Sequence, residues 1–133
     1  ETQEVFSKEV MADLTYSLKG TILSGTGAAA LALGRPAAGK TGTSQSNASA
    51  WFSAYTPQLA ASVALFRDSA SESLNGIGGL TSVTGGTFPA RIWTAFMKGA
   101  LKDEPVMEFP APSNIGGLDP VVITSGGKQT RKP

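Results

Sequence analysis

A lysine, two threonines and a glycine follow one another in Gly39-Lys40-Thr41-Gly42-Thr43-Ser44. On a strand, Thr41 and Thr43 point to one face and Lys40 and Gly42 to the other. Gly42 has no side chain, so the backbone of a ligand can lie close against the strand. The two hydroxyls can donate to a carboxylate, and the ammonium of Lys40 adds a positive field. A peptide pairing along the edge and ending in a carboxylate fits this set. The backbone N–H of Thr43 can also stabilise an oxyanion. The bland alternative is that a lysine on an edge strand only discourages sheet-to-sheet pairing.

The rest of the composition narrows the chemistry. The 133 residues contain no histidine and no cysteine. Ser-His-Asp and Cys-His catalysis, thiolate metal sites and disulfides are therefore excluded within this chain. Eleven basic and ten acidic residues leave a net charge of +1, which argues against a nucleic-acid partner. No stretch reaches the roughly 18 apolar residues of a membrane span. No cofactor is expected. Hydrophobic residues make up 41% of the chain, enough for one packed domain. The chain starts at Glu1 without an initiator methionine, and is expected to be a piece of a longer precursor.

The elements that must hold the strand can be read in outline. Residues 5–19 read as a helix with an apolar stripe of Phe6, Val10, Met11, Leu14 and Leu18, capped by Ser7 and stopped at Gly20. A short helix over Ala28–Leu33 breaks at Gly34-Arg35-Pro36. Strands are expected at 37–45, 51–55 and 59–66, the last two forming a hairpin about Thr56-Pro57-Gln58. Apolar residues on both faces of the third strand imply a sheet covered by helices on both sides. The Ser/Gly-rich stretch 67–86 reads as a long loop, functional or mobile. Residues 88–102 read as a helix with a stripe of Phe88, Ile92, Trp93, Phe96, Met97, Ala100 and Leu101. From residue 103 on, prolines interrupt any periodicity. An extended segment is expected to about 118, pinned by Val106, Met107 and Phe109, followed by disorder.

Gly34-Arg35-Pro36-Ala37-Ala38-Gly39-Lys40-Thr41 also satisfies the phosphate-binding pattern G-x-x-x-x-G-K-[ST]. That pattern needs a strand before it and a helix after it. Neither is legible here, so a nucleotide-binding fragment is the weaker alternative.

Lys40-Thr41-Gly42-Thr43, Trp51-Phe52-Ser53-Ala54-Tyr55-Thr56-Pro57, and Gly85-Gly86 leading into Pro89-Ala90 and Ile92-Trp93 come in a telling order. Together with Ser24-Gly25-Thr26-Gly27 and Gly34-Arg35-Pro36, they resemble the C-terminal part of the transpeptidase domain of class A penicillin-binding proteins. The resemblance spans roughly residues 5–102, leaving 103–133 as a Pro/Gly-rich tail. It implies an α/β fold of the α+β type, like the penicillin-binding proteins and serine β-lactamases, of which this is the C-terminal part only.

The family works with Ser-x-x-Lys, Ser-x-Asn and Lys-Thr-Gly, in that order. Only the third stands in place. Ser125-Gly126-Gly127-Lys128 and Ser73-Leu74-Asn75 match the other two patterns but follow the Lys-Thr-Gly strand, and are read as decoys. Ala50 departs from the acidic residue frequent before the tryptophan.

By this resemblance the reaction is serine acyl transfer on peptidoglycan stem peptides, with β-lactams as inhibitors. Lys40 and Thr43 would take part in catalysis, and Thr41, Gly42 and Thr43 would bind substrate. The partner would be the remainder of the domain, carrying the Ser-x-x-Lys and Ser-x-Asn elements. The place would be the extracytoplasmic face of a bacterial membrane, anchored by a segment outside this chain. A non-catalytic module binding cell-wall peptide stays open as another function.

Overall fold

The computed structural model describes residues 4–69 and 71–115. Helix α1 spans Lys8–Leu23, strands β1, β2 and β3 span Ala38–Thr43, Ser49–Tyr55 and Ala60–Phe66, and helix α2 spans Phe88–Ala100. Short 3-10 turns lie at Ala28–Leu33, Gln45–Asn47 and Ile77–Gly79. The strands form one antiparallel sheet in the order β1-β2-β3. Lys40 stands opposite Ser53, and Ser53 opposite Ser62.

Period two assigns the two faces of the sheet. Thr41, Phe52 and Val63 share one face, and Lys40, Ser53 and Ser62 the other. Helix α2 covers the Phe52 face. Its Ala90, Trp93 and Met97, with Leu101 just beyond, form the main core with Phe52, Ala54, Ile22, Ala30 and Leu33. Trp93 is fully buried, meets Phe52 edge-on at 5.4 Å, and donates its indole N–H to the carbonyls of Ala54 and Ala61 at 3.2 and 3.1 Å. A buried indole needs such a partner, and here it fastens the helix to the hairpin.

Helix α1 packs beside β1. Its Ile22 enters the core under Phe52, whereas Thr15 hydrogen bonds the hydroxyl of Tyr55 at 2.9 Å. Tyr55 belongs to the Lys40 face, so α1 also touches that side of the sheet at the end of β2. Ser7 caps α1 by accepting from the Val10 N–H. The helix does not stop at Gly20, as the sequence reading expected, but runs to Leu23. Burying Ile22 stabilises by about 1.5–3 kcal/mol, more than the roughly 1 kcal/mol that a helical glycine costs. The expected stripe is also not the buried one. Ala12, Thr15 and Ile22 are buried, whereas Phe6, Val10, Met11 and Leu14 remain between 39% and 62% exposed. On α2, likewise, Ile92 and Phe96 of the expected stripe are exposed.

The 67–86 stretch is built rather than loose over its described residues. Leu74 and Val83 are buried against Ala50. The Asn47 amide donates to Asn75 Oδ1 and Ser82 Oγ at 2.7 and 2.8 Å, and Arg67 donates to the Ser73 carbonyl.

Beyond α2 the chain turns back as an extended strap. Arg35 donates to the carbonyls of Leu101, Glu104 and Pro105, and Gln58 also reaches Pro105. Phe109 stacks edge-on against Tyr55. Asp13 then accepts from the backbone N–H groups of Ser113, Asn114 and Ile115. These N–H groups, Asn114 foremost, hold its carboxyl below the usual carboxylate range. Val106 and Met107, expected as further pins, are instead 60% and 47% exposed. The expected disorder toward the C-terminus falls outside the described residues.

Candidate active site

The site is the outer edge of β1. Ser44 donates its N–H to the Ser49 carbonyl at 3.0 Å. Bonded and non-bonded pairs alternate along an antiparallel ladder. The N–H and C=O groups of Lys40 and Gly42 therefore turn toward β2, and those of Thr41 and Thr43 turn outward. The Lys40 ammonium confirms the direction, since it folds over the edge to the Thr41 carbonyl at 2.9 Å. Lys40 and Thr43 are exposed and Thr41 is half-buried, so all three are accessible to a ligand.

Two contacts prepare the hydroxyls. Thr26 Oγ1 lies 2.5 Å from Thr41 Oγ1. Gly85 donates its N–H to Thr43 Oγ1 at 3.2 Å. With its oxygen accepting from Gly85, the Thr43 hydroxyl keeps its proton for an incoming acceptor. Gly85 reaches this position only because it lacks a side chain. A Cβ there would sit 2.1 Å from the Trp51 carbonyl and 2.8 Å from the Gly42 carbonyl. Both are backbone atoms of the paired strands and cannot yield. Gly85→Ala is therefore expected to destabilise the fold by about 1–3 kcal/mol. A urea-unfolding midpoint unchanged from wild type would refute that account of the glycine.

The Lys40 face carries Trp51 at 45% exposure and Phe66 at 68%. These two border an open groove with Ser44, Ser49, Arg67 and Asp68. Ser53 and Ser62 bond each other across that face. A half-exposed tryptophan beside an exposed lysine, over a sheet packed on its other side, is a face with room for a further layer.

The structure brings Lys40, Thr41, Gly42 and Thr43 to one edge, with Thr41 and Thr43 sharing a face as their spacing predicts. Sequence reasoning missed Thr26 and Gly85 as members of the site. The only signal was glycines flanking each, Gly25 and Gly27 about the first and Gly86 after the second. The phosphate-loop alternative fails, because Lys40 and Thr41 lie inside β1 and lead into a 3-10 turn and β2, where a phosphate loop requires a helix. Ser73-Leu74-Asn75 is structural: Leu74 is buried, Ser73 Oγ accepts from the Asn75 N–H, and the Asn75 side chain accepts from Asn47. Ser125–Lys128 lies outside the described residues.

No protein-family profile matches the chain. Curated relatives do. Penicillin-binding protein 1A of Rickettsia typhi is 38% identical over 102 residues, which cover 77% of this chain and 12% of the relative. Penicillin-binding protein 1A of Pseudomonas aeruginosa is 38% identical over 120 residues, 88% of this chain and 14% of the relative. The chain thus spans about an eighth of the length of these relatives. Among solved structures, the penicillin-binding protein PonA1 of Mycobacterium tuberculosis superposes with a TM-score of 0.75 at 33% identity, covering 84% of this chain and 30% of that one. The same protein in complex with penicillin V gives a TM-score of 0.73 at 33% identity, covering 82% of this chain and 30% of that one.

Proposed function

The chain belongs to the class A penicillin-binding protein family, as a segment matching the C-terminal part of its transpeptidase domain, and from that premise we propose that it forms one wall of the cleft of a peptidoglycan D,D-transpeptidase. The attacking serine comes from another segment of the domain, one carrying Ser-x-x-Lys and Ser-x-Asn. Its oxygen adds to the carbonyl of the D-Ala-D-Ala bond of a stem peptide. The C–N bond breaks, and D-alanine leaves with the proton on its amine. An amine from a second stem then attacks the ester, forms the cross-link and returns the proton and the serine hydroxyl. A β-lactam follows the first half only, because its leaving group stays tethered.

Each residue of β1 has a part in this scheme. The Thr41 and Thr43 hydroxyls hold the terminal carboxylate of the substrate. The Thr43 N–H, turned outward, donates to the oxyanion of the tetrahedral intermediate. Gly42 lets the peptide backbone approach. Lys40 places positive charge where the Ser-x-Asn element would stand. The exposed Lys40–Trp51 face is where the nucleophile-bearing layer packs. The whole protein works at the extracytoplasmic face of the bacterial membrane, through an anchor lying elsewhere in its length.

The observation that carries this reading is the edge of β1 at Thr41–Thr43, open among the described residues, with its outward Thr43 N–H and two hydroxyls on one face. Exposed to a fluorescent penicillin, this chain alone is expected to take no covalent label. A companion polypeptide with Ser-x-x-Lys should be labelled when both are present. Labelling of the isolated chain would overturn the reading. The same open edge favours a second reading, a non-catalytic module that captures cell-wall peptide by strand addition. Stem-peptide binding by the lone chain, with no turnover in any complex, would select it.

A further inference from the structure

We propose that Thr26 is a positioning residue that orients the Thr41 hydroxyl toward the substrate carboxylate; this deepens the transpeptidase reading and rests on it. The argument starts from proton counting. Each hydroxyl has one proton to donate. At 2.5 Å, one of Thr26 and Thr41 donates and the other accepts. If Thr41 donates, its proton is spent on Thr26 and only Thr43 is left to meet an anion at the edge. If Thr26 donates, the Thr41 proton is free, and Thr41 and Thr43 present two donors from the same face of β1. Residues two apart on a strand lie roughly 7 Å from each other, about the span of a carboxylate hydrogen bonded at both oxygens. An anion at this edge selects the second arrangement. A chain of hydroxyls ending on a charge also polarises toward it, so that the Thr41 bond strengthens.

Thr26 is held for this task by a tightly built turn. Gly27 donates its N–H to the Thr21 carbonyl at 2.9 Å, tying the turn to the end of α1. A Cβ on Gly27 would lie 2.9 Å from the Phe52 ring, and one on Gly86 would lie 2.1 Å from the Thr26 carbonyl. The turn is thus clasped between the core beneath Phe52 and Gly86, whose neighbour Gly85 donates to Thr43. The two threonines of the strand receive matched support, Thr41 from a side-chain hydroxyl and Thr43 from a backbone N–H. Thr26 itself is exposed, so its hydroxyl is not needed to satisfy a buried group.

The test measures acylation of the intact penicillin-binding protein carrying this segment, with a fluorescent penicillin and with the methyl ester of the same compound. Thr26→Val leaves the Thr41 hydroxyl its proton but removes the bond that aims and polarises it, so acylation by the free acid should slow about threefold, and Thr26→Ser should restore it. The ester offers no carboxylate, so its slower rate should be the same in wild type and Thr26→Val. Thr26→Val combined with Thr41→Val should be no slower than Thr41→Val alone, because Thr26 acts only through Thr41. A wild-type rate for Thr26→Val, equal slowing with acid and ester, or additive losses in the double variant would each overturn the proposal. Failure of the parent reading looks different: the wild-type protein takes no penicillin, or Thr41→Val reacts at the wild-type rate. Either result sinks both.

Discussion

Thr43→Pro, introduced into the intact protein, should be acylated by penicillin about 100- to 1000-fold more slowly than Thr43→Val, the usual loss on removing one oxyanion donor. Proline deletes the one backbone N–H assigned to the oxyanion. In the middle of a sheet it would also break the ladder, but β1 is an edge strand of the described sheet and the Thr43 N–H points away from β2. Proline is tolerated at such positions. The substitution also removes the hydroxyl, so Thr43→Val is the companion variant. Valine keeps the N–H and the shape, and is expected to lose about tenfold with the hydroxyl; the contact from Gly85 is lost equally in both variants. The gap between the two variants measures the N–H alone. Equal rates for Thr43→Pro and Thr43→Val, with both proteins folded by circular dichroism, would remove the oxyanion role from this strand.

The second large effect concerns stability. Trp93→Ala should destabilise the fold by about 3–5 kcal/mol, the range for truncating a buried aromatic side chain. Small domains are stable by only about 5–15 kcal/mol, so this one change approaches the whole margin. Three losses combine: the buried ring, its edge-on contact with Phe52, and the two hydrogen bonds to Ala54 and Ala61. Trp93→Phe separates them. It keeps an aromatic ring in the core and leaves the two carbonyls without the indole donor, at about 1–3 kcal/mol. Urea-unfolding midpoints of the two variants give the comparison. A loss below about 1 kcal/mol for Trp93→Ala would mean that α2 is not fastened to the hairpin through this side chain.

The site sits at the junction of these two effects. Trp93 holds α2 under β2 and β3, and the turn entering α2 places Gly85 against β1. A weakened core therefore moves the donor that prepares Thr43. Damage to packing and damage to chemistry are distinguished by the ratio of rates for probes with and without a carboxylate. A loosened sheet slows both probes, whereas loss of a hydroxyl donor slows only the charged one.

The hairpin, the short turn over Ala28–Leu33, the break at Gly34 and the approximate limits of α2 could be written down from residue order alone. Each depends on neighbours a few positions away: proline and glycine at turns, alternation along a strand, a period of 3.6 along a helix. The sharing of one face by Thr41 and Thr43 belongs to the same class, since pleating is local. The buried side of α1 does not. Phe6, Val10, Met11 and Leu14 form the better stripe by periodicity, yet Ala12, Thr15 and Ile22 are the ones covered. Periodicity reports that a helix has an apolar face, but not which face its neighbours in space will cover. The same limit hid the support of the site. Thr26 meets Thr41 across 15 residues, Gly85 meets Thr43 across 42, and Asp13 meets the strap across about 100. Contacts of that separation arise only when the sheet has paired and the helices have packed. Local order could nominate the strand proposed for the chemistry; long-range packing chose which hydroxyls and N–H groups stand beside it.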